Sequence, residues 1–317
     1  MEITRGYKTE LKLNNKQRTL CLQHAGCARF AYNWGLRRKQ EAFAARKAAA
    51  DPKSVKIPTA IDLHKELNTL KKSEFPWMYQ SSKCAPQEAL RNLDTAFANF
   101  FARRAKYPKF KKRSTGIGSF TLTGAIHVGP DWIQLPTIGK VRLFEHGYLP
   151  PDSDLETQDR KTLKKRKKKK RMVTEPAHYL SATVSEHAGH WFVSVQITEI
   201  APDPVKATGA PIGVDLGIKT LAVCSDGQAI PNPKALWGNL GNLQRTQRHH
   251  SKKKKGSKNR QKSKREVARL HYRVACIRED VLHQATALIT AKTNPASKRP
   301  QAIILEELNV AGMHKNH

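Results

Sequence analysis

The sequence predicts a protein of the α+β class with two domains. Helix-period apolar stripes occupy residues 15–110, and short apolar runs separated by glycine and proline follow up to residue 200. A strand pair and a long basic helix then fill residues 212–317. Residues 201–211 hold three prolines and form the predicted linker. A length of 317 residues is enough for two domains of ordinary size.

The first domain, residues 1–200, begins with strand-like alternation over residues 3–13. Apolar residues then recur at three- and four-residue spacing, which predicts helices. Three are expected: one over about 15–50 that Asp51-Pro52 ends, one over 60–71, and one from Pro86 to the break at Tyr107-Pro108.

Strands are predicted in the rest of this domain, because the apolar runs are short and bounded by turn residues. They cover Ser119–Leu122, Ile126–Val128, Trp132–Leu135, Gly139–Leu143, and a hairpin of Tyr179–Val184 with His190–Ile197 around a Glu186–Gly189 turn. Residues 149–176 form an inserted basic loop, in which Arg160–Arg171 has ten basic residues in twelve. We expect this run to be solvated in the free protein and able to hold nucleic acid non-specifically.

The second domain starts with a hairpin over Ile212–Ile230, turned by Ser225-Asp226-Gly227. A long basic helical region follows, and Ile303–Leu305 is expected to be a buried strand. The helix is amphipathic over two heptads, with an apolar stripe formed by Val267, Leu270, Val274, Ile277 and Val281.

The chain carries 58 Lys and Arg against 26 Asp and Glu, a formal net charge of +32. Such an excess repels itself in the folded protein, so a polyanion is expected as the partner. Nucleic acid fits, because neutralising its phosphates releases counterions. A membrane surface is the other polyanion, but the sequence lacks an apolar run near the ~18 residues of a spanning helix and lacks a secretory leader. We therefore expect no membrane partner and a cytoplasmic, nucleoid-associated protein.

The cysteines exclude a zinc site within this sequence. The five are scattered, with no Cys-x-x-Cys spacing, and the number is odd: Cys21, Cys27, Cys84, Cys224 and Cys276. This pattern argues against a disulfide framework and favours buried free thiols.

Two basic stretches are candidates for nucleic-acid binding. Residues 245–265 carry eleven Lys and Arg and no acid, directly before the amphipathic helix, whose apolar stripe should aim the basic face outward. The candidates there are Arg245, Arg248, Lys252, Lys253, Lys255, Lys258 and Arg260. The second stretch, residues 103–113, includes Lys109, Lys111 and Lys112 beside Tyr107 and Phe110. Those two aromatic rings either stack on bases or pack where the helix ends, and the sequence leaves both open.

Two carboxylates at apolar strands are candidate metal ligands. Asp215 lies in Ile212-Gly-Val-Asp-Leu-Gly-Ile218, where Gly213 and Gly217 leave room beside it, and Glu306 ends the run Ala302-Ile-Ile-Leu-Glu306. If the two strands were neighbours, the acids would converge on a site for Mg²⁺ or Mn²⁺. Each motif alone is more typical of a solvated acid than of a metal ligand. Asp226 and Glu307 are second-rank candidates, and strand alternation turns Glu307 to the opposite face.

In order and spacing, several motifs together resemble the TnpB (OrfB) family of insertion-sequence proteins, relatives of the type V CRISPR effectors. The resemblance runs along nearly the whole chain. It rests on Tyr7-Lys8-x-x-Leu11, Gly26-Cys-Ala-Arg-Phe30, Tyr107-Pro-Lys-Phe-Lys-Lys112, Leu180-Ser-Ala-Thr183, Gly213-Val-Asp-Leu-Gly217, Lys255-Gly-Ser-Lys-Asn-Arg260 and Leu305-Glu-Glu-Leu-Asn-Val310.

The resemblance implies a small WED-like β-barrel with a helical insertion at about 15–110, followed by an RNase H-like RuvC domain over 212–317. Members are RNA-guided DNA endonucleases, in which base pairing with the guide selects the target. Their partners are therefore DNA and a guide RNA. Asp215 and Glu306 match the first two of three catalytic, metal-binding carboxylates.

The sequence also departs from the family pattern. The family's zinc ribbon and its third acid follow the second motif, whereas no Asp occurs after Asp280 and no Cys-x-x-Cys exists here. We therefore expect a C-terminally truncated chain with an incomplete RuvC domain and without nuclease activity. A non-catalytic nucleic-acid-binding regulator on the same scaffold is the alternative, and the sequence leaves the oligomeric state open.

Overall fold

In the computed structural model the chain divides into two units, Met1–Ala201 and Pro202–His317. The structure describes residues 2–113, 116–152, 178–201, 203, 205–291 and 293–308. The basic run Arg160–Arg171 and most of the 149–176 insertion lie outside these residues.

The first unit is built on a seven-stranded antiparallel sheet in the order β2-β6-β7-β1-β5-β4-β3. Its strands are β1 (Glu2–Lys12), β2 (Ser119–Thr123), β3 (His127–Val128), β4 (Trp132–Leu135), β5 (Gly139–Leu143), β6 (His178–His187) and β7 (His190–Ile200). β1 lies at the centre and changes partner along its length. Glu2 to Glu10 pair with β7, whereas Leu11 and Lys12 pair with β5. The first strand of the chain therefore joins the two halves of the sheet.

Three helices pack beside this sheet: α1 (Asn15–Ala48), α2 (Ala60–Ser73) and α3 (Cys84–Phe101). The first two begin at capping boxes, in which Asn14 pairs with Gln17 and Thr59 with Asp62. Leucines from all three helices are fully buried, including Leu36, Leu63, Leu67, Leu90 and Leu93.

The prediction that the third helix runs from Pro86 to Tyr107-Pro108 is wrong at both ends. The helix begins two residues earlier, at Cys84, and it ends at Phe101. Arg103 adopts a left-handed conformation with φ of 58°. The amides of Arg103 and Arg104 bond back to Phe100 and Asn99, which closes the helix before its predicted end.

The central hairpin is longer than predicted, and its turn is shorter. β6 and β7 remain paired up to His187 and His190, so only Ala188 and Gly189 form the turn. Both have positive φ, 55° and 90°, which matches the right-handed twist of the flanking strands.

The second unit contains a four-stranded sheet in the order β10-β9-β8-β11 and an antiparallel helix pair. The elements are β8 (Ile212–Leu216), β9 (Thr220–Cys224), β10 (Ala229–Pro231), α4 (Ala235–Ser251), α5 (Lys258–Ile289) and β11 (Ile303–Leu305). The predicted single hairpin over Ile212–Ile230 is in fact three strands. The extra reversal is at Gly217, where a Cβ would lie 2.8 Å from the Thr220 carbonyl oxygen.

β11 is an edge strand rather than the buried strand that its apolar composition predicted. Among the described residues it pairs with β8 alone, and its three residues are between 41 and 61% exposed. Part of the predicted linker belongs to this unit, because Gly209 exchanges backbone hydrogen bonds with Arg299 and Gln301.

The five cysteines are free, and four of them are buried, as the sequence indicated. In the part of the chain that the structure describes, no helix combines the length and apolarity needed to cross a membrane.

Candidate active site and nucleic-acid interface

Asp215 lies on β8, and Glu306 is the residue directly after its parallel neighbour β11. The register pairs Ile303 with Ile212 and Leu305 with Val214, where the pairing ends, and Asp215 and Glu306 are the next residues of the two segments. Adjacent strands are about 4.8 Å apart, and aligned residues of parallel strands point to the same face. Both residues are solvent-exposed. The fold thus brings two acids that are far apart in the sequence to the same end of the β8–β11 pair.

The alternation of buried and more exposed residues along β8 shows which face of the sheet each side chain occupies. Ile212 and Val214 are buried in the core of the second unit, so Gly213 and Asp215 face the other side. The amide of Gly213 donates to Ser225 Oγ at 3.0 Å, which ties β8 to the end of β9. Gly213 has ordinary space around it, whereas Gly217 serves the turn rather than leaving room beside the carboxylate.

The second-rank acids have other surroundings. Asp226 Oδ1 accepts a hydrogen bond from the amide of Gln228 at 3.0 Å and so orders the β9–β10 turn. Glu307 follows Glu306 and is exposed. No group of three or more His, Cys, Asp and Glu is arranged to hold a metal among the described residues.

Asp215 and Glu306 nevertheless fit a magnesium ion chemically. Mg²⁺ prefers oxygen ligands, and proteins usually hold it with one or two carboxylates, while waters and substrate phosphates complete the shell. An exposed pair at the ends of neighbouring strands leaves space for those further ligands.

The predicted basic segment 245–265 is not one helix face. It spans the end of α4, a turn, and the start of α5, so it forms the tip of a helical hairpin. Arg245 and Arg248 are exposed on α4, and Lys252, Lys255 and Lys258 are exposed around the turn. Of the predicted apolar stripe of α5, Val274 is buried, and the other four residues are half-buried: Val267, Leu270, Ile277 and Val281.

Arg260 makes several hydrogen bonds to the backbone of this tip. Its guanidinium Nη1 donates to the backbone carbonyls of His250, Ser251 and Lys253, at 3.2, 3.4 and 2.7 Å. Ser257 caps α5 by accepting from the Arg260 amide. Arg260 therefore holds the turn in shape, and its exposed neighbours remain the better candidates for phosphate contact.

The basic stretch of the first unit is held against α1. Asn33 exchanges two hydrogen bonds with the backbone of Lys111, at 2.8 and 2.9 Å. The Lys111 ammonium lies 4.1 Å from the centre of the Tyr32 ring, and burial of this group lowers its pKa. Lys109 and Lys112 are exposed.

The two aromatic residues of this stretch have different environments. Tyr107 packs edge-on against Phe97 and Phe100, with ring centres 5.5 and 5.2 Å away, which supports the packing alternative for this ring. Phe110 is exposed, at 42%.

Sequence reasoning missed a cleft formed by the β8–β9 turn, the start of α4 and the middle of α5. It measures about 610 Å³ and contains the exposed side chain of Trp237. An indole beside Lys234 at the start of a basic helix was the available signal, but helical periodicity alone does not separate an exposed tryptophan from a core one.

Two family models match the sequence. One, described as "Probable transposase" of the OrfB group, covers residues 179–317, and the other, described as "Helix-turn-helix domain", covers residues 1–48. In the structure, the described part of the latter segment is strand β1 and the single helix α1.

The chain is 30% identical over 316 residues to a "Putative RNA-guided DNA endonuclease" of Streptomyces pristinaespiralis, covering 99% of this chain and 69% of the relative. It belongs to the TnpB (OrfB) family. A second member, "Putative RNA-guided DNA endonuclease InsQ" of Escherichia coli K12, is 28% identical over 318 residues, again covering 69% of the relative.

The family fold extends to solved structures. A chain from the "Cryo-EM structure of the Cas12f1-sgRNA-target DNA complex" superposes on this TnpB-family chain with a TM-score of 0.51 at 12% identity. The match covers 97% of this chain and 81% of the Cas12f1 complex chain. At this identity the likeness is one of fold.

Proposed function

We propose that this chain is a transposon-associated protein that binds DNA and a guide RNA, on a scaffold built for metal-dependent cleavage of DNA. The observation that carries the proposal is the parallel pairing of β8 with β11 in a member of the TnpB family, because this pairing ends at Val214 and Leu305, directly before Asp215 and Glu306. The excess of basic residues supplies the affinity for nucleic acid. Such a protein would act in the cytoplasm, at the nucleoid.

In this proposal the two units have separate tasks. Residues 1–200 correspond to a WED-like barrel with the helical insertion 15–110, which holds the guide RNA. Residues 212–317 correspond to an RNase H-like RuvC domain, joined through 201–211. Support comes from the antiparallel sheet of the first unit and from the mixed sheet of the second, whose parallel pair carries the acids.

Asp215 and Glu306 would hold Mg²⁺ or Mn²⁺ through their carboxylate oxygens. When bound, such an ion stabilises the charge that develops on a phosphodiester during cleavage. The backbone pairing of β8 with β11, which ends one residue before each acid, would set the spacing of the two carboxylates. Arg245, Arg248 and the lysines of the α4–α5 tip would bind the backbone phosphates and keep the strand in place.

The first test is metal binding, measured by calorimetry with Mn²⁺ on the whole chain. We expect Asp215→Asn and Glu306→Gln to weaken Mn²⁺ binding at least tenfold each, since each removes one anionic ligand. Asp226→Asn is the matched control, because asparagine retains the oxygen that accepts from the Gln228 amide. If Asp215→Asn binds Mn²⁺ as the unchanged chain does, the proposed site is wrong.

The second test is function. RNA that co-purifies with the chain is sequenced, and a DNA that matches it is incubated with the complex and Mg²⁺. Cleavage that is lost in Asp215→Asn supports the nuclease site. Binding of this DNA without cleavage is the result that the missing third acid predicts. If, in addition, neither carboxylate change weakens Mn²⁺ binding, the result supports a non-catalytic regulator.

A further inference from the structure

The Trp237 cleft exposes an unusual amount of apolar surface for so basic a unit. Trp237 is 74% exposed and Ile218 is 87% exposed, and Leu282 on α5 also lines the space. A contiguous apolar surface around a concavity usually marks a place where a partner binds. The lining of the cleft therefore favours a ligand that has a flat, apolar group.

The rim of the cleft is cationic. Lys234 and Arg278 are both exposed, and neither makes an ion pair with a carboxylate among the described residues. None of the described residues that line the cleft is acidic. Positive charge around an exposed indole is complementary to a ligand that joins an aromatic ring to an anion.

The cleft is shaped by contacts within the chain. Asn232 donates to the Ile218 carbonyl at 2.8 Å and accepts from the Lys234 amide at 2.9 Å, so it joins the β8–β9 turn to the start of α4. Lys234 itself has φ of 46°, a left-handed conformation that is strained for a residue with a Cβ. Strain of this kind persists where surrounding contacts hold it, and it is concentrated at functional sites.

A second feature continues from the cleft along α4. Gly238 and Gly241 leave its surface open, because a Cβ added at either would meet no atom within 4 Å. Arg245 and Arg248 follow on the same side and line the same shallow depression. From Trp237 to Arg248 the helix rises about 16 Å, which is long enough for several phosphates of one strand.

We propose that the cleft binds an unpaired nucleobase, which stacks on Trp237 while Lys234 and Arg278 hold the flanking phosphates. The strand then runs along α4 over the two glycines to Arg245 and Arg248. Aromatic rings among cations are how proteins hold single strands without reading their sequence, because every base has a face that can stack.

The cleft lies close in the chain to one of the candidate metal ligands. Ile218 is three residues beyond Asp215, so their Cα atoms are at most about 11 Å apart. This inference rests on the proposed function, in that the bound strand is the one presented to Asp215 and Glu306. Trp237 would be a positioning residue for an unpaired strand at the carboxylate pair.

The test measures binding by fluorescence anisotropy, with the whole chain, EDTA and a labelled oligothymidine. A labelled strand of equal length without bases is the comparison. We expect Trp237→Ala to weaken binding of oligothymidine about 5- to 150-fold, the range for one stacked base, and to leave binding of the abasic strand unchanged. Trp237→Phe should restore most of the affinity, because it retains an aromatic face.

A matched pair of controls separates stacking from charge and from folding. Arg278→Gln should weaken binding of both strands and lower the slope of log affinity against log salt by about 1, whereas Trp237→Ala should leave that slope unchanged. The melting temperature of Trp237→Ala should equal that of the unchanged chain, since the side chain is mostly exposed.

Three results would overturn the proposal: equal weakening of both strands by Trp237→Ala, no weakening of either, or a change of oligomeric state in Trp237→Ala without a change in oligothymidine binding. The last would show that a second copy of the chain covers the cleft. Because EDTA removes divalent ions, this binding does not depend on the metal site, which the Mn²⁺ calorimetry tests separately. A failure of the metal site is thereby distinguished from a failure of the cleft.

Discussion

The cations of the α4–α5 tip differ in what their side chains contact, although they are equivalent in the sequence. Arg260 donates three hydrogen bonds to carbonyls of the turn, whereas Lys255 and Lys258 are exposed. A planar guanidinium can meet several carbonyls at once, and an ammonium on a flexible stem meets water more readily. The same charge therefore serves the fold at one position and the surface at others.

Arg260→Ala should destabilise the second unit by about 1–2 kcal/mol, since hydrogen bonds from a charged donor are lost and the carbonyls of the turn lose a partner. Chemical denaturation of the whole chain measures this. Lys258→Ala is the control, and we expect it to change stability by less than about 0.5 kcal/mol while lowering the salt slope of nucleic-acid binding. Equal loss of stability in both variants would contradict the assignment.

His24 is a second residue whose role depends on its surroundings. It is fully buried, its Nδ1 donates to the Leu20 carbonyl at 2.7 Å, and its Nε2 accepts from the Ser82 amide at 2.9 Å. Burial lowers its pKa. The neutral ring thus joins α1 to the segment that precedes α3.

Because the pKa of His24 is lower in the folded protein, the unfolded chain takes up this proton at a higher pH. We expect the first unit to lose stability as pH falls below about 6.5, the ordinary pKa of histidine. Thermal unfolding between pH 7.5 and 5 measures the effect. His24→Gln, which can still accept from the Ser82 amide, should reduce this slope, and an unchanged slope would show that other groups cause it.

At the scale of elements, helical glycines have opposite roles in the two units. A Cβ on Gly35 of α1 would lie 2.6 Å from Leu90 Cδ2 and 3.1 Å from Leu93 Cδ2, so this glycine allows α1 and α3 to pack closely. A Cβ on Gly241 of α4 would meet no atom within 4 Å. Helical pattern alone does not distinguish the two.

The same substitution should therefore have opposite signs at these positions. Gly241→Ala should stabilise the protein by about 0.5–1 kcal/mol, because alanine is the better helix former. Gly35→Ala should destabilise it by about 1–2 kcal/mol, because overpacking a full core costs more than helix propensity returns. Urea unfolding of both variants measures this, and stabilisation by Gly35→Ala would contradict the close packing of α1 and α3.

At the scale of the whole molecule, charge dominates. The net charge of +32 is spread over a chain that folds into two units, and each has exposed Lys and Arg at a candidate binding segment. Self-repulsion of this size weakens the compact state, and a bound polyanion relieves it.

Raising salt from 50 to 200 mM should therefore weaken binding of non-specific nucleic acid by about 10³- to 10⁵-fold, if six to ten phosphates are contacted. Saturating nucleic acid at low salt should also raise the melting temperature, because it binds the folded state. Anisotropy titrations and thermal scans measure the two effects. Salt-insensitive binding would contradict an interface made mainly with phosphates.

Much of the fold was predictable, because the local periodicity of apolar residues indicates helices and hairpins. α1, β4 and β5 agree with their predicted bounds closely. The misses arose where another part of the chain decided the outcome. A left-handed Arg103 ended α3 early, the Gly217 turn divided one predicted strand, and β11 proved to be exposed although its composition is apolar.

By itself, the sequence determined the class of fold, the nucleic-acid partner and the identity of the two candidate acids, since charge, periodicity and motif order are all local or additive properties. Only the tertiary structure decided that the strand before Glu306 pairs with the strand that carries Asp215, that Arg260 supports a turn, and that Trp237 lines a cleft. These depend on which strands and helices become neighbours. That choice is made by pairing and burial between residues far apart in the chain, which no local pattern records.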